Sequence, residues 1–100
     1  MPQILDSTPI RRKPNLLDTR IDDEIVALDV DGGQCYGMNL VASEVWELLS
    51  QCTTVEAITR ELCVLFEVDM ESCLDEVRAL VIRFQNDGLI MQCSPAELIR

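Results

Sequence analysis

The chain has 100 residues, 48% of them hydrophobic, only four aromatic side chains and a formal net charge of -10. That is one domain with a core of Leu, Ile and Val, and no apolar run nears the length of a membrane span. Beyond Lys13 the balance is five basic against seventeen acidic residues, a surface that repels phosphate backbones and argues against nucleic-acid binding.

Residues 1–13 hold two prolines and the basic triplet Arg11, Arg12 and Lys13, and read as a flexible arm. Its charges follow its few apolar residues, the reverse of a secretory signal, so a cytoplasmic chain is expected. A folded domain is expected over 14–93, and 94–100 reads as a C-terminal tail. From Asn15 a first strand runs to Arg20 or Ile21, and Asp22-Asp23 turn the chain. Glu24–Val30 reads as a second strand, apolar at neighbouring positions and so expected to be covered on both faces. Asp31-Gly32-Gly33 is a hairpin signal, because these residues tolerate positive φ. Gln34–Met38 is then the third strand of an antiparallel meander, with one edge left unpaired.

Asn39 switches the pattern to a helix, as an N-cap whose side chain accepts from a free backbone N–H. Leu40, Val41, Val45, Trp46, Leu48 and Leu49 recur at helical spacing to about Gln51. A second helix covers about Val55–Phe66, with Thr53 (three before Glu56, the capping-box spacing) and Thr54 as competing caps. Asp69 caps a third helix, about Met70–Asn86, and Gly88 stops it. Its expected core stripe is Met70, Cys73, Val77, Leu80 and Phe84. A second apolar line, Leu74, Val81 and Ile82, has Arg78 and Gln85 among it. It reads either as a wide buried arc against the first helix or as the lining of a groove. The fold class expected is α+β: a three-stranded antiparallel meander packed on three helices, winged-helix-like.

The five cysteines, at 35, 52, 63, 73 and 93, include no CxxC pair, and the chain has no histidine. Zinc coordination is therefore not expected, and the cysteines read as free thiols of a reducing compartment. Cys73 alone has a cation, Arg78, near enough to lower its pKa. Without histidine, ordinary Ser-His or Cys-His catalysis is out. The acidic residues are spread as solvated helix faces, and no calcium-loop spacing occurs. Neither an enzyme nor a cofactor is expected. An acyl carrier would need a serine exposed at a helix start, whereas Ser43 and Ser72 fall within helices. A winged-helix DNA reader would need a basic third helix; Arg78 and Arg83 face Glu71, Asp75, Glu76 and Asp87 there.

Tyr36-Gly37-Met38-Asn39, then Ala42, Val45-Trp46 and Leu48, resemble a pattern of the PqqD-like proteins. Thr54-Val55 with Ile58, Val68-Asp69, and Val77, Leu80, Phe84 and Gly88-Leu89-Ile90 continue the likeness over about Asn15–Met91. Met38 stands where a leucine is usual. The resemblance implies a recognition element (a peptide chaperone) for ribosomally made, modified peptides. It would grip the leader segment of a precursor as an added strand. It would then present the precursor to a separate maturation enzyme, either the leader peptidase and cyclase of lasso-peptide pathways or a radical enzyme of pyrroloquinoline quinone and related pathways. An open strand edge suits that task, since backbone bonds give register and pockets give selectivity. On this chain the ladder falls on Gln34, Cys35, Tyr36, Gly37 and Met38. The helix wall falls on Leu74, Arg78, Val81 and Ile82, with Arg78 as the partner of an acidic leader residue. The bland alternative for Arg78 is a local contact with Asp75. The competing functions are a winged-helix transcriptional regulator and a generic interaction module. An open edge can also pair with a second copy, as a homodimer.

Overall fold

The structure, a computed structural model, describes residues 3–98. Its elements are β1 (Ile10–Arg12), β2 (Leu16–Ile21), β3 (Glu24–Asp29), β4 (Gln34–Met38), α1 (Leu40–Leu48), α2 (Val55–Phe66), α3 (Met70–Asn86) and β5 (Ile90–Gln92), then a single 3-10 turn, Pro95–Glu97. The expected α+β architecture is present, with three helices and an antiparallel meander in the order β2-β3-β4.

Local chemistry sets the element ends. Asn39 accepts from the backbone N–H of Ala42 at 2.9 Å and starts α1. Thr54, not Thr53, caps α2, accepting from Ala57, because the Thr53 backbone is already engaged with Ile10 on both sides at 2.8 Å. Asp69 caps α3 through Ser72. At the far end Gly88 takes φ +75°, Gly88 N–H donates to Gln85 and Leu89 N–H to Phe84. That double bond is a Schellman closure, which a Cβ at Gly88 would strain.

The meander alternates as a half-buried sheet should. Ile25, Ala27 and Met38 point into the core, with Tyr36 half-buried beside them. The expectation that both faces of the central strand are covered does not hold. Val26 and Leu28 on the other face are only half-buried, and their β2 neighbours Leu17 and Ile21 are exposed. The helices pack on one side only, so apolar neighbours in the sequence reflect side-by-side contact within the sheet rather than a second layer.

The N-terminal arm is likewise not loose where it is described. Ile10–Arg12 pairs antiparallel with Ile90–Gln92, and Ile10 is fully buried. One buried isoleucine on a strand that satisfies its own backbone outweighs a proline-rich composition. Residues 1, 2, 99 and 100 of the arm and tail lie outside the described residues. Cys52 and Cys93 form a disulfide, which corrects the reading of all five cysteines as free thiols. Cys35, Cys63 and Cys73 are free. The bridge ties the α1–α2 connection to the end of β5, a pairing that odd numbers and irregular spacing concealed.

Trp46 organises the core. It is fully buried, meets Phe84 edge-to-face at 5.7 Å and donates from Nε1 to Asp18 Oδ2 at 2.8 Å. Arg12 donates to the same oxygen at 2.8 Å and lies over the indole at 5.1 Å. One ring thus joins β1, β2, α1 and α3, and its only polar atom is satisfied. No helix among the described residues is long and apolar enough to cross a membrane.

Candidate functional site

β4 has one partner, β3, with Ile25 opposite Met38 and Ala27 opposite Tyr36. Among the described residues no strand pairs with its other edge. Alternation sends Gln34, Tyr36 and Met38 to one face, and Cys35 and Gly37 to the other, where both are exposed. The Tyr36 hydroxyl sits 3.0 Å from Gln34 Oε1 and 3.5 Å from the Asp87 carbonyl. Tyr36 therefore spans from the strand to the C-terminal end of α3. A Cβ at Gly37 would meet nothing within 4 Å, so this glycine leaves open space on the outer face.

The strand end is pinned by a residue that periodicity alone passes over. Ser43 is fully buried. Its Oγ accepts from the Ile25 N–H at 2.9 Å and donates to the Met38 carbonyl at 3.2 Å. One hydroxyl thus satisfies a donor of β3 and an acceptor of β4 where α1 leaves the sheet. It fixes the position of the open edge relative to the helices. A serine amid the apolar positions of α1 was the available signal.

The four expected wall residues all lie on α3, but they are not alike. Val81 is buried in the core and Leu74 packs against it; Ile82 is 53% exposed. The second apolar line is thus part core arc and part groove lining. Arg78, Val81 and Ile82 line a groove of about 490 Å³ whose remaining sides are Val55 and Glu56 of α2 and residues 3–7. Leu74 is not part of that lining.

Arg78 carries the main surprise. It donates from Nε to Asp6 Oδ1 at 3.0 Å and from Nη2 to Asp6 Oδ2 at 2.6 Å, a two-pronged guanidinium–carboxylate pair. Nη1 reaches Asp75 at 3.5 Å. The hydrogen bonds from Arg78 hold the Asp6 carboxyl below its usual value, against desolvation and with the Arg78 charge acting in the same direction. Asp6 was read as part of a flexible arm; only the fold brings it to α3. Cys73 does not gain reactivity from Arg78. Burial, then the neighbouring Cys63 thiol and Glu76, push its thiol up to about 11. Among the described residues no three His, Cys, Asp or Glu side chains cluster as metal ligands.

The profile of the family described as "PqqD: Coenzyme PQQ synthesis protein D (PqqD)" matches residues 24–90. The chain belongs to the PqqD family. That match begins at β3 and ends at the start of β5, and so takes in the open edge of β4 and all of α3. Solved structures share the fold of this PqqD-family chain. One, "TbiB1 in Complex with the TbiA(beta) Leader Peptide", has a TM-score of 0.76 and 25% identity over 84% of this chain and 98% of that one. A second, "Lasso peptide synthetase B1 complexed with the leader peptide", has a TM-score of 0.72 and 21% identity over 82% and 96%. The third is the solution structure of the PqqD truncation of Methylobacterium extorquens PqqCD, a stand-alone recognition element for ribosomally synthesised, modified peptides. Its TM-score is 0.74 at 13% identity over 89% and 95%. No curated protein sequence matches the chain.

Proposed function

We propose that this PqqD-family chain is a leader-peptide-binding adaptor. It captures the leader of a ribosomal precursor as a strand added to the free edge of β4, with α3 as the facing wall. The observation that carries the reading is a five-residue edge, Gln34–Met38, unpaired among the described residues, in a fold shared with a structure described as a leader-peptide complex. Main-chain groups of Gln34, Cys35, Tyr36, Gly37 and Met38 supply the ladder. Leu74, Arg78, Val81 and Ile82 supply side-chain selection, and Arg78 favours an acidic leader residue. The recognition domain proposed over residues 14–93 is completed by β1, whose Ile10 lies in its core. The protein performs no chemistry itself; a separate enzyme, a leader peptidase and cyclase or a radical enzyme, acts on the presented precursor. The fold shared with a structure described as a lasso peptide synthetase B1 favours the first. The place of action is the cytoplasm, where a newly made precursor is met. Pairing of the same edge with a second copy is opposed by a net charge of -10 on each.

The test is a titration of the 15N-labelled full chain with synthetic leaders made from any short precursor reading frame found beside its gene. Amide shifts confined to 34–38 and to 74–82 are the expected result. Binding of duplex DNA at physiological salt, or shifts that bypass β4, would overturn the adaptor in favour of a winged-helix regulator or another interaction module.

A further inference from the structure

The segment before β1 lies on Arg78, Val81 and Ile82, the part of α3 that the adaptor reading assigns to a guest peptide, in a groove that no residue of β4 lines. Asp6 occupies two donors of Arg78, its carbonyl accepts from the Glu56 N–H at 3.2 Å, and Ile4 packs against the core. The segment closes on itself through a short turn, with Leu5 N–H donating to Thr8 Oγ1 and Thr8 N–H to the Leu5 carbonyl. Leu5 itself faces solvent, 57% exposed. This is a light attachment. Both members of the ion pair are partly exposed, and an exposed pair is easily exchanged for another.

We propose that Ile4–Asp6 is a tethered occupant of the α3 wall, a strap that an acidic, apolar stretch of the guest peptide must displace to reach Arg78. The proposal deepens the adaptor reading and rests on it for the identity of the guest. Asp6 presents the chemistry that the wall selects: a carboxylate for the guanidinium, preceded by an isoleucine and a leucine. Carboxylate replaces carboxylate, so the exchange changes the charge count at Arg78 by nothing. Its tether gives the strap an effective concentration on the order of millimolar. Only the fraction of molecules with the strap lifted is competent for the wall, and a guest's apparent affinity falls by that fraction. The strap therefore sets a threshold: a peptide that fits β4 but lacks the acidic element gains nothing from the wall.

The experiment uses the full chain, as wild type and as Asp6→Lys, which repels Arg78 and springs the strap. The double variant Ile4→Ser/Asp6→Lys covers the case in which Ile4 alone holds it. The first probe is a synthetic nonapeptide of the chain's own residues 1–9, titrated by NMR while the amides of Val55, Glu56, Val81 and Ile82 and the Arg78 Nε–H are followed. It should bind the lifted variants at least about threefold more tightly than wild type, the scale that an exposed ion pair sets. In an Arg78→Ala background the change at residue 6 should make no difference. Equal binding to wild type and lifted variants, or binding to neither, overturns the strap. The second probe is the synthetic precursor leader. Tighter binding to Asp6→Lys than to wild type supports displacement; equal binding overturns it by showing that the leader does not meet the strap, and weaker binding overturns it by making Asp6 part of the receptor. Because the nonapeptide contains no leader, nonapeptide exchange without any leader binding would support the strap and overturn the adaptor reading alone.

Discussion

The meander β2-β3-β4 and the ribbon β1-β5 are both small antiparallel sheets, yet they are assembled by different means. In the meander each strand meets the next across a short loop, Ile21 opposite Glu24 and Asp29 opposite Gln34. The turn residues Asp22 and Gly33 take φ 57° and 70°. The ribbon joins Ile10 to Gln92, nearly the whole chain apart, and is held by the Cys52–Cys93 bridge and by Arg12 on Trp46. The first is cheap in loop entropy and leaves an edge and a face free. The second must overcome a long closure, and does so with buried Ile10 and a covalent bond. The proposed peptide-binding edge sits on the sheet that is locally specified, and the ribbon holds the preceding segment where Asp6 reaches Arg78 on α3.

The comparison breaks most visibly at the bridge. It spans 41 residues of sequence, for which chain-entropy reasoning gives about 4 kcal/mol. Cys93→Ser, or reduction of the wild type, should lower the urea midpoint and deprotect the amides of 10–12 and 90–92 first, with the meander persisting. An unmoved midpoint would mean that the ribbon stands without its covalent tie. In the meander, Ser43→Ala strands the buried Ile25 N–H and Met38 carbonyl, at a cost of roughly 1–3 kcal/mol. Hydrogen exchange at Ile25 should accelerate, while protection in the ribbon falls only by the global loss.

A smaller effect reports on the strap. Arg78 holds the Asp6 carboxyl below its ordinary value. The contact is therefore whole above the unfolded-state carboxylate pKa and is lost as pH falls through the lowered folded value. The Arg78 Nε–H resonance, followed from neutral to acid, should move in wild type and move less in Asp6→Asn, where only Asp75 remains beside the guanidinium, and high salt should shrink the change. A resonance indifferent to pH would remove Asp6 from Arg78. Smallest is Gly37→Val. The added side chain enters open space on the outer face of β4 and suits a strand, so stability should stay within about 0.5 kcal/mol of wild type. Thermal melts check this; a large loss would mean that the outer face is more crowded than its exposure indicates.

Legibility followed the same division. The meander, the three helices, Asn39 and Asp69 as caps and Gly88 as terminator were readable because each signal lies within a few residues of what it controls. The open edge of β4 followed from strand order alone. Ser43 was visible only as a polar residue inside a helix, since its partners Ile25 and Met38 converge on it through the sheet-to-helix corner. Along α3, spacing grouped Leu74, Val81 and Ile82 but could not say that Val81 turns inward and Ile82 outward, because that depends on where α2 and the N-terminal segment lie.

The order of strands, helix limits and family pattern of this chain were set by its residues read locally: caps, turn formers and the period of apolar positions. Tertiary structure alone decided that Ile10 is core, that Cys52 meets Cys93 and that Asp6 rests on Arg78. Each of those contacts joins residues far apart in the chain. A long loop adds only slowly to the cost of closure and leaves no periodicity behind. Such pairs are chosen by the shape of the packed core, and neither partner's neighbours in sequence record the choice.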